Sequence, residues 1–140
     1  MSKIAVVFWS GTGNTEMMAE AVVEGAKNCG ADVVLVTASD FDAFDIDLYD
    51  AVAFGCPAMG AEVLEEDEFE PMFDSCVSKL SDKKIALFGS YGWGDGEWLR
   101  NWEDVCNNNG ATLACESVIC NETPDEDALE KCRKLGSALV

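Results

Sequence analysis

The stretch Trp9-Ser10-Gly11-Thr12-Gly13-Asn14-Thr15-Glu16 gathers the groups best suited to holding an anion. Ser10, Thr12, Asn14 and Thr15 offer hydroxyls and an amide to oxygen atoms, while Gly11 and Gly13 allow close backbone approach or positive φ. No Lys or Arg lies within it. An anion held here would have to rely on unpaired backbone N–H groups and the positive end of a helix macrodipole. A phosphate is the natural occupant. Two familiar phosphate motifs fail the test: a P-loop needs Lys and a hydroxyl residue after its second Gly, where this chain has Asn14 and Thr15, and G-x-G-x-x-G needs Gly where Glu16 stands. Nucleoside triphosphates and a standard NAD site are therefore disfavoured. The plain alternative is an ordinary strand-to-helix turn capped by Ser or Thr.

Two further stretches carry soft or aromatic groups on Gly-rich segments: Cys56-Pro57-Ala58-Met59-Gly60, and Ser90-Tyr91-Gly92-Trp93-Gly94. Exposed Met59, Tyr91 and Trp93 gain little unless something covers them, so a flat aromatic ligand is expected between the loops. Metal and thiol chemistry have less support. The seven cysteines form no C-x-x-C pair and there is no histidine, so they read as small buried apolar residues in a reducing compartment.

Charge narrows the partners. The chain has 27 acidic and nine basic residues, a net charge of −18, and no Lys or Arg between Lys27 and Lys79. Such a field repels nucleic acid and anionic membranes and steers the chain toward basic patches on other proteins. Solubility alone would also account for it. No apolar run is long enough to span a bilayer and the N-terminus does not read as a signal peptide, so a cytoplasmic location is expected.

Positioning these groups requires an alternating framework, and hydrophobic periodicity supplies one. Lys3 to Trp9 reads as a strand, and Met18, Val22, Ala26 and Cys29 mark one face of the helix that follows. Asp32 to Thr37 reads as a second buried strand. Residues 38 to 50 suit a short helix or ordered loop, and Ala51 to Gly55 a third strand. Phe69, Met72, Phe73, Cys76, Val77 and Leu80 are spaced as a helix, and Ile85 to Gly89 is a fourth strand. Trp98, Trp102 and Val105 mark the next helix face. A last strand spans about Thr112 to Cys120, and a last helix from about Asp125 carries Leu129, Cys132, Leu135 and Leu139. One α/β domain over residues 1–140 follows, a doubly wound five-stranded parallel sheet with helices on both faces. In such a sheet a ligand lies beyond the carboxyl ends of the strands, where chain progression reverses. The loops at 10–15, 56–62 and 89–96 qualify.

The stretches SGTGNTE, GCPAMGAE and LFGSYGWGDGEW, in this order and after strands, resemble those of short-chain flavodoxins of anaerobic bacteria, over nearly the whole chain. The resemblance implies the strand order 2-1-3-4-5, which flavodoxins themselves exemplify, and non-covalently bound FMN. It implies that Ser10, Gly11, Thr12, Gly13, Asn14 and Thr15 hold the FMN phosphate. Pro57, Ala58, Met59 and Gly60 would then meet the inner face of the ring, and Trp93 would stack on the outer face. Glu62 would accept the flavin N3–H. Ser90, Tyr91, Gly92 and Gly94 would line the pyrimidine edge, with Asn121 at the ring edge. Pro57 stands where some members carry a hydroxyl residue, which removes one side-chain contact.

The function implied is a monomeric, low-potential one-electron carrier, not an enzyme, shuttling between semiquinone and hydroquinone and docking on basic patches of redox partner proteins. A peptide flip at Gly60 would accompany reduction. An FMN-dependent reductase of a small-molecule acceptor is the alternative; a phosphoacceptor domain and a flavin store are weaker rivals. The short chain and the lack of His or a placed Cys for acid–base work speak against the reductase.

Overall fold

The computed structural model describes residues 2–59, 63–92 and 94–140. Its centre is β1 (Lys3–Phe8), whose Ile4, Ala5, Val6 and Val7 are fully buried. Successive residues of a strand face opposite ways. Ala5 and Val7 therefore pack into one apolar cluster while Ile4, Val6 and Phe8 pack into another. The same alternation divides Val52 and Phe54 from Ala51 and Ala53 on β3 (Ala51–Gly55), and Ile85 and Leu87 from Ala86 and Phe88 on β4 (Lys84–Tyr91). A sheet apolar on both faces must be covered on both. One layer is α1 (Asn14–Asn28) with α5 (Glu126–Ala138); the other contains α3 (Phe69–Cys76) and α4 (Glu97–Asn108).

The α1–α5 contact is close enough to involve backbone. A Cβ at Gly25 would fall 1.9 Å from the Arg133 carbonyl oxygen, and one at Gly136 would fall 2.1 Å from that of Val22. Only glycine fits at these crossings.

All strand pairs are parallel, and the sheet runs from β2 (Asp32–Thr37) through β1 and β3 to β4, with the fifth position filled in two pieces, β5 (Thr112–Leu113) and β6 (Val118–Asn121). The expected order is thus observed, but the expected continuous last strand is interrupted. Leu113 pairs with Ile85 and Val118 with Phe88, so five steps along one chain oppose three along β4. The excess bulges out, and the Ser117 hydroxyl donates to Glu103 on α4 at 2.6 Å.

Three other expectations need correction, those for β2, for the face of α4 and for the cysteines, whereas the short helix or ordered loop expected over residues 38–50 is observed. β2 (Asp32–Thr37) is an edge strand with Val34 and Leu35 exposed, because no strand lies beyond it. On α4 the buried face is Trp98, Leu99, Trp102 and Cys106, and Val105 points to solvent. Cys29 is exposed at the end of α1, and Cys115 and Cys120 are only partly buried, so the cysteines are not uniformly core residues. Residues 38–50 fold as a 3-10 turn, Ala38–Asp40, and a short helix α2, Ala43–Ile46. In that helix the Asp42 carboxylate accepts the Phe44 N–H at 2.9 Å, and Asp45 accepts the Asp42 N–H in return at 3.1 Å. Alternation at Phe44, Ile46 and Leu48 mimics a strand there, yet only Ile46 is buried. Among the described residues no helix is long and apolar enough to cross a membrane.

Candidate functional site

The chain passes from β1 to β2 on one side and then returns to place β3 on the other, so α1 after β1 and α3 after β3 pack on opposite faces of the sheet. The ladder continues a little beyond β1 and β3: Trp9 N–H donates to Gly55 O at 3.0 Å, Cys56 N–H to Phe88 O at 3.1 Å, and Ala58 N–H to Ser90 O at 2.9 Å. The loops after β1, β3 and β4 therefore leave the sheet in fixed register. Between them lies a cavity of about 480 Å3 lined by Gly11, Thr12, Asn14, Pro57, Ala58, Met59, Ser90, Tyr91 and Gly92. Trp9, Glu122 and Thr123 line it as well, beyond the residues expected from sequence. Trp9 stands directly before the Ser10 loop, and Glu122 follows Asn121 with a φ of 58°, a left-handed turn unusual for a non-glycine.

The wall contributed by α1 is an anion site in its donors. Gly13 takes φ 96° just before the helix, so no side chain caps the first turn. Its N–H donates to Ser10 Oγ at 3.0 Å and the Asn14 N–H to Thr12 Oγ1 at 3.5 Å. The N–H groups of Thr15 and Glu16 have no acceptor among the described residues. Unpaired first-turn donors bind anions without a cation, and no Lys or Arg lines the cavity among the described residues.

Several expected residues do not reach the lining. The Thr15 hydroxyl is buried and bonded to the Ser90 hydroxyl at 3.0 Å, joining α1 to β4 beneath the cavity. Ser10 and Gly13 shape the loop from behind. Asn121 donates its amide to the Tyr91 carbonyl at 3.3 Å, and the Glu122 N–H donates to the same oxygen at 2.7 Å, so Asn121 ties β6 to β4. Gly94 forms a turn with φ 86°. Gly60, Glu62 and Trp93 lie outside the described residues.

The opposite wall is apolar and braced. Tyr91 packs on Trp98 with ring centroids 5.6 Å apart, and the Trp98 indole N–H donates to Cys56 O at 3.2 Å. Met59 N–H donates to Val63 O at 2.9 Å. Glu65 anchors the next segment. Although only 5% exposed, its carboxylate accepts the N–H groups of Asp67, Glu68 and Phe69 at 2.9, 2.7 and 2.8 Å. Burial would raise its pKa, but the three N–H bonds outweigh that and hold it below the usual glutamate value. Its own N–H donates to Cys56 Sγ at 3.4 Å, and Glu68 accepts the Trp9 indole N–H at 3.2 Å. Sequence marks these residues only as members of an acidic run.

The buried thiols and that of Cys120 are held in the protonated form. Burial pushes Cys56, Cys106 and Cys132 up to about 12 and Cys76 and Cys120 up to about 11, so each is protonated near neutrality. A second cavity, about 430 Å3, opens where the fifth strand position is interrupted, lined by residues 115–119 with Lys131, Lys134 and Leu135. It shares no residue with the converging loops. The first cavity alone joins unpaired anion donors to an apolar slot, a combination suited to a flat ring bearing a phosphate.

A family model described as flavodoxin matches residues 6–136. The chain is 45% identical over 135 residues to the flavodoxin of Clostridium beijerinckii, covering 96% of this chain and 97% of that one. It is 44% identical over 135 residues to the flavodoxin of Megasphaera elsdenii, covering 96% of each. The solution structure of two-electron reduced Megasphaera elsdenii flavodoxin matches the fold with a TM-score of 0.89 over 97% of both chains.

Proposed function

The chain belongs to the flavodoxin family, and from that premise we propose that it binds FMN non-covalently and carries electrons one at a time between redox partner proteins. The observation that carries this reading is the cavity itself: Gly11, Thr12 and Asn14 line it where the first turn of α1, with the unpaired N–H groups of Thr15 and Glu16, begins, and Met59 and Tyr91 line it as well. Its volume of about 480 Å3 lies within the range of about 300–1,000 Å3 typical of small-molecule sites. Donors without a cation suit a terminal phosphate, and the soft and aromatic lining suits a flavin ring.

Gly11, Thr12 and Asn14, with the first turn of α1, would hold the phosphate. Pro57, Ala58 and Met59 would meet one side of the ring, and Ser90, Tyr91 and Gly92 its polar edge. Ser10, Gly13, Thr15, Gly94 and Asn121 would support the loops from behind. The proposed set extends to Gly60, Glu62 and Trp93 on the family motifs alone. FMN, when bound, supplies a ring that takes up electrons singly.

The chain's own contribution is to bind that ring, exclude water and bias its charge. An apolar slot makes added charge expensive, and the acidic surroundings raise that cost further. One carboxylate ~10 Å away at an effective dielectric of ~40 contributes about 0.8 kcal/mol. Several such carboxylates separate the second one-electron step from the first and lower its potential. The working cycle proposed is therefore between half-reduced and fully reduced protein, at low potential. The carrier would act as a cytoplasmic monomer, one domain over residues 1–140, docking on basic patches. A cavity that one flat ligand would fill, with no cysteine among its described lining residues, favours a carrier over a reductase.

Stepwise reductive titration of the purified protein with optical detection tests this. The expected result is a yellow protein, or stoichiometric uptake of added FMN, followed by reduction in two resolved stages. A colourless protein that does not take up FMN, or reduction in one two-electron stage, overturns it.

A further inference from the structure

A groove of about 200 Å3 opens between α3 and α4, lined by Val63, Phe73, Trp102 and Val105, with Glu70 and Asp74 on its walls. It adjoins the cofactor cavity, because Met59, which lines the cavity, donates its N–H to the carbonyl of Val63, which lines the groove. Two features are unexplained by folding alone. Val63 and Val105 are 36% and 44% exposed, and the Trp102 indole N–H, on a residue only 3% exposed, has no acceptor among the described residues. A buried donor left unpaired costs about 1–3 kcal/mol, a penalty that a bound acceptor removes.

We propose that this groove is the docking point for the redox partner, which inserts one apolar side chain flanked by Lys or Arg and presents a backbone carbonyl to the Trp102 N–H. The assignment rests on the carrier function proposed above and adds where the partner sits. An engineered cavity of about 150 Å3 takes up benzene, so the groove has room for one branched or aromatic side chain. Glu70 and Asp74 select basic flanks, and no Lys or Arg lines the groove among the described residues. A second copy of the chain is a poor occupant, since each copy carries a net charge of −18. Indole anchors in desolvated pockets are frequent hot spots, and a rotamer change at Val63 or Val105 gives the carbonyl access.

The test is a nuclear magnetic resonance titration of isotopically labelled, FMN-loaded protein with a blocked peptide of two leucines flanked on each side by two lysines. A control peptide has serines in place of the leucines. The expected result is a saturable shift of the Trp102 indole N–H, identified by its loss in Trp102→Phe, together with the Val63 and Val105 methyls. Binding should weaken about five- to tenfold in Trp102→Phe and at least tenfold for the serine peptide. Val105→Lys, a change at an exposed position, should abolish it. An unmoved indole signal, equal affinity for both peptides, or wild-type affinity in Trp102→Phe and Val105→Lys overturns the proposal. So do the same shifts on raising protein concentration without peptide, which would mean a second copy. Retained flavin absorbance with an inert groove refutes the docking site alone, whereas failure to hold FMN refutes the functional reading beneath it.

Discussion

Glu65→Gln probes whether a buried carboxylate, not the acidic surface, holds the wall of the site together. Glu65 Oε1 accepts two N–H bonds, at 2.7 and 2.8 Å, and Oε2 accepts a third at 2.9 Å. A glutamine of the same shape keeps Oε1 as a neutral acceptor and turns an NH2 toward the Asp67 N–H. A hydrogen bond to a charged group contributes about 1.5–3 kcal/mol and a neutral one about 0.5–1.5. The two retained bonds then lose about 1 kcal/mol each and the third, worth about 1.5–3 kcal/mol, is lost altogether, for a total of about 3.5–5 kcal/mol. With a urea slope of about 2 kcal/mol/M, the unfolding midpoint should fall by about 2–2.5 M. The comparison is made at one fixed excess of FMN, because bound ligand shifts midpoints by mass action.

The pH dependence carries its own sign. A carboxylate whose folded pKa lies below its unfolded value contributes stability that is present above the unfolded value, near 4.5, and is lost as pH falls through the folded one. The wild type should therefore lose part of its stability on acidification below about pH 4.5, and the Gln variant should lack that part. Midpoints differing by less than about 0.3 M, or acid limbs that run parallel in the two proteins, would refute the reasoning.

Gly13→Ala has open space for its Cβ but must keep φ at 96°, so it should cost about 1–2 kcal/mol and weaken FMN binding, read by urea midpoint and FMN titration. Thr15→Val breaks the buried bond to Ser90 and strands its hydroxyl; a loss of about 1–3 kcal/mol is expected, and Ser90→Ala in the same chain should restore part of it. Neutralising Glu66 and Asp67, which are exposed, should raise the second one-electron potential by on the order of 30 mV each in a spectroelectrochemical titration, and less at high salt.

Much of the architecture was legible along the chain because a parallel sheet covered on both faces leaves local marks. Val- and Ile-rich strand runs, helical spacing and glycine after each central strand placed the three loops. The absence of Lys and Arg from the Ser10–Thr15 loop already required backbone donors. Less local features were not legible. Val105 and Cys106 fit a helical stripe about equally well, and only the position of α4 over β4 and β5 decides that Cys106 is buried. Asp32–Thr37 reads like a central strand, since nothing within it shows that no neighbour lies beyond. The interruption between Leu113 and Val118 depends on register against β4.

The sequence by itself determined the alternation of strand and helix, the loops that carry donors and rings, and the sign of the field around them. Each follows from the residue's own chemistry and its neighbours within a few positions. Tertiary structure alone decided how those groups are used. Thr15 meets Ser90 across 75 residues, and Asn121 reaches the Tyr91 carbonyl across 30. Glu65, one acid in a run of acids, bonds N–H groups only two to four positions ahead of it, but packing of the whole chain is what buries that local cap. A hydroxyl, amide or carboxylate can serve any of several partners, and which one it serves is settled only when the packed chain removes the water that would otherwise compete.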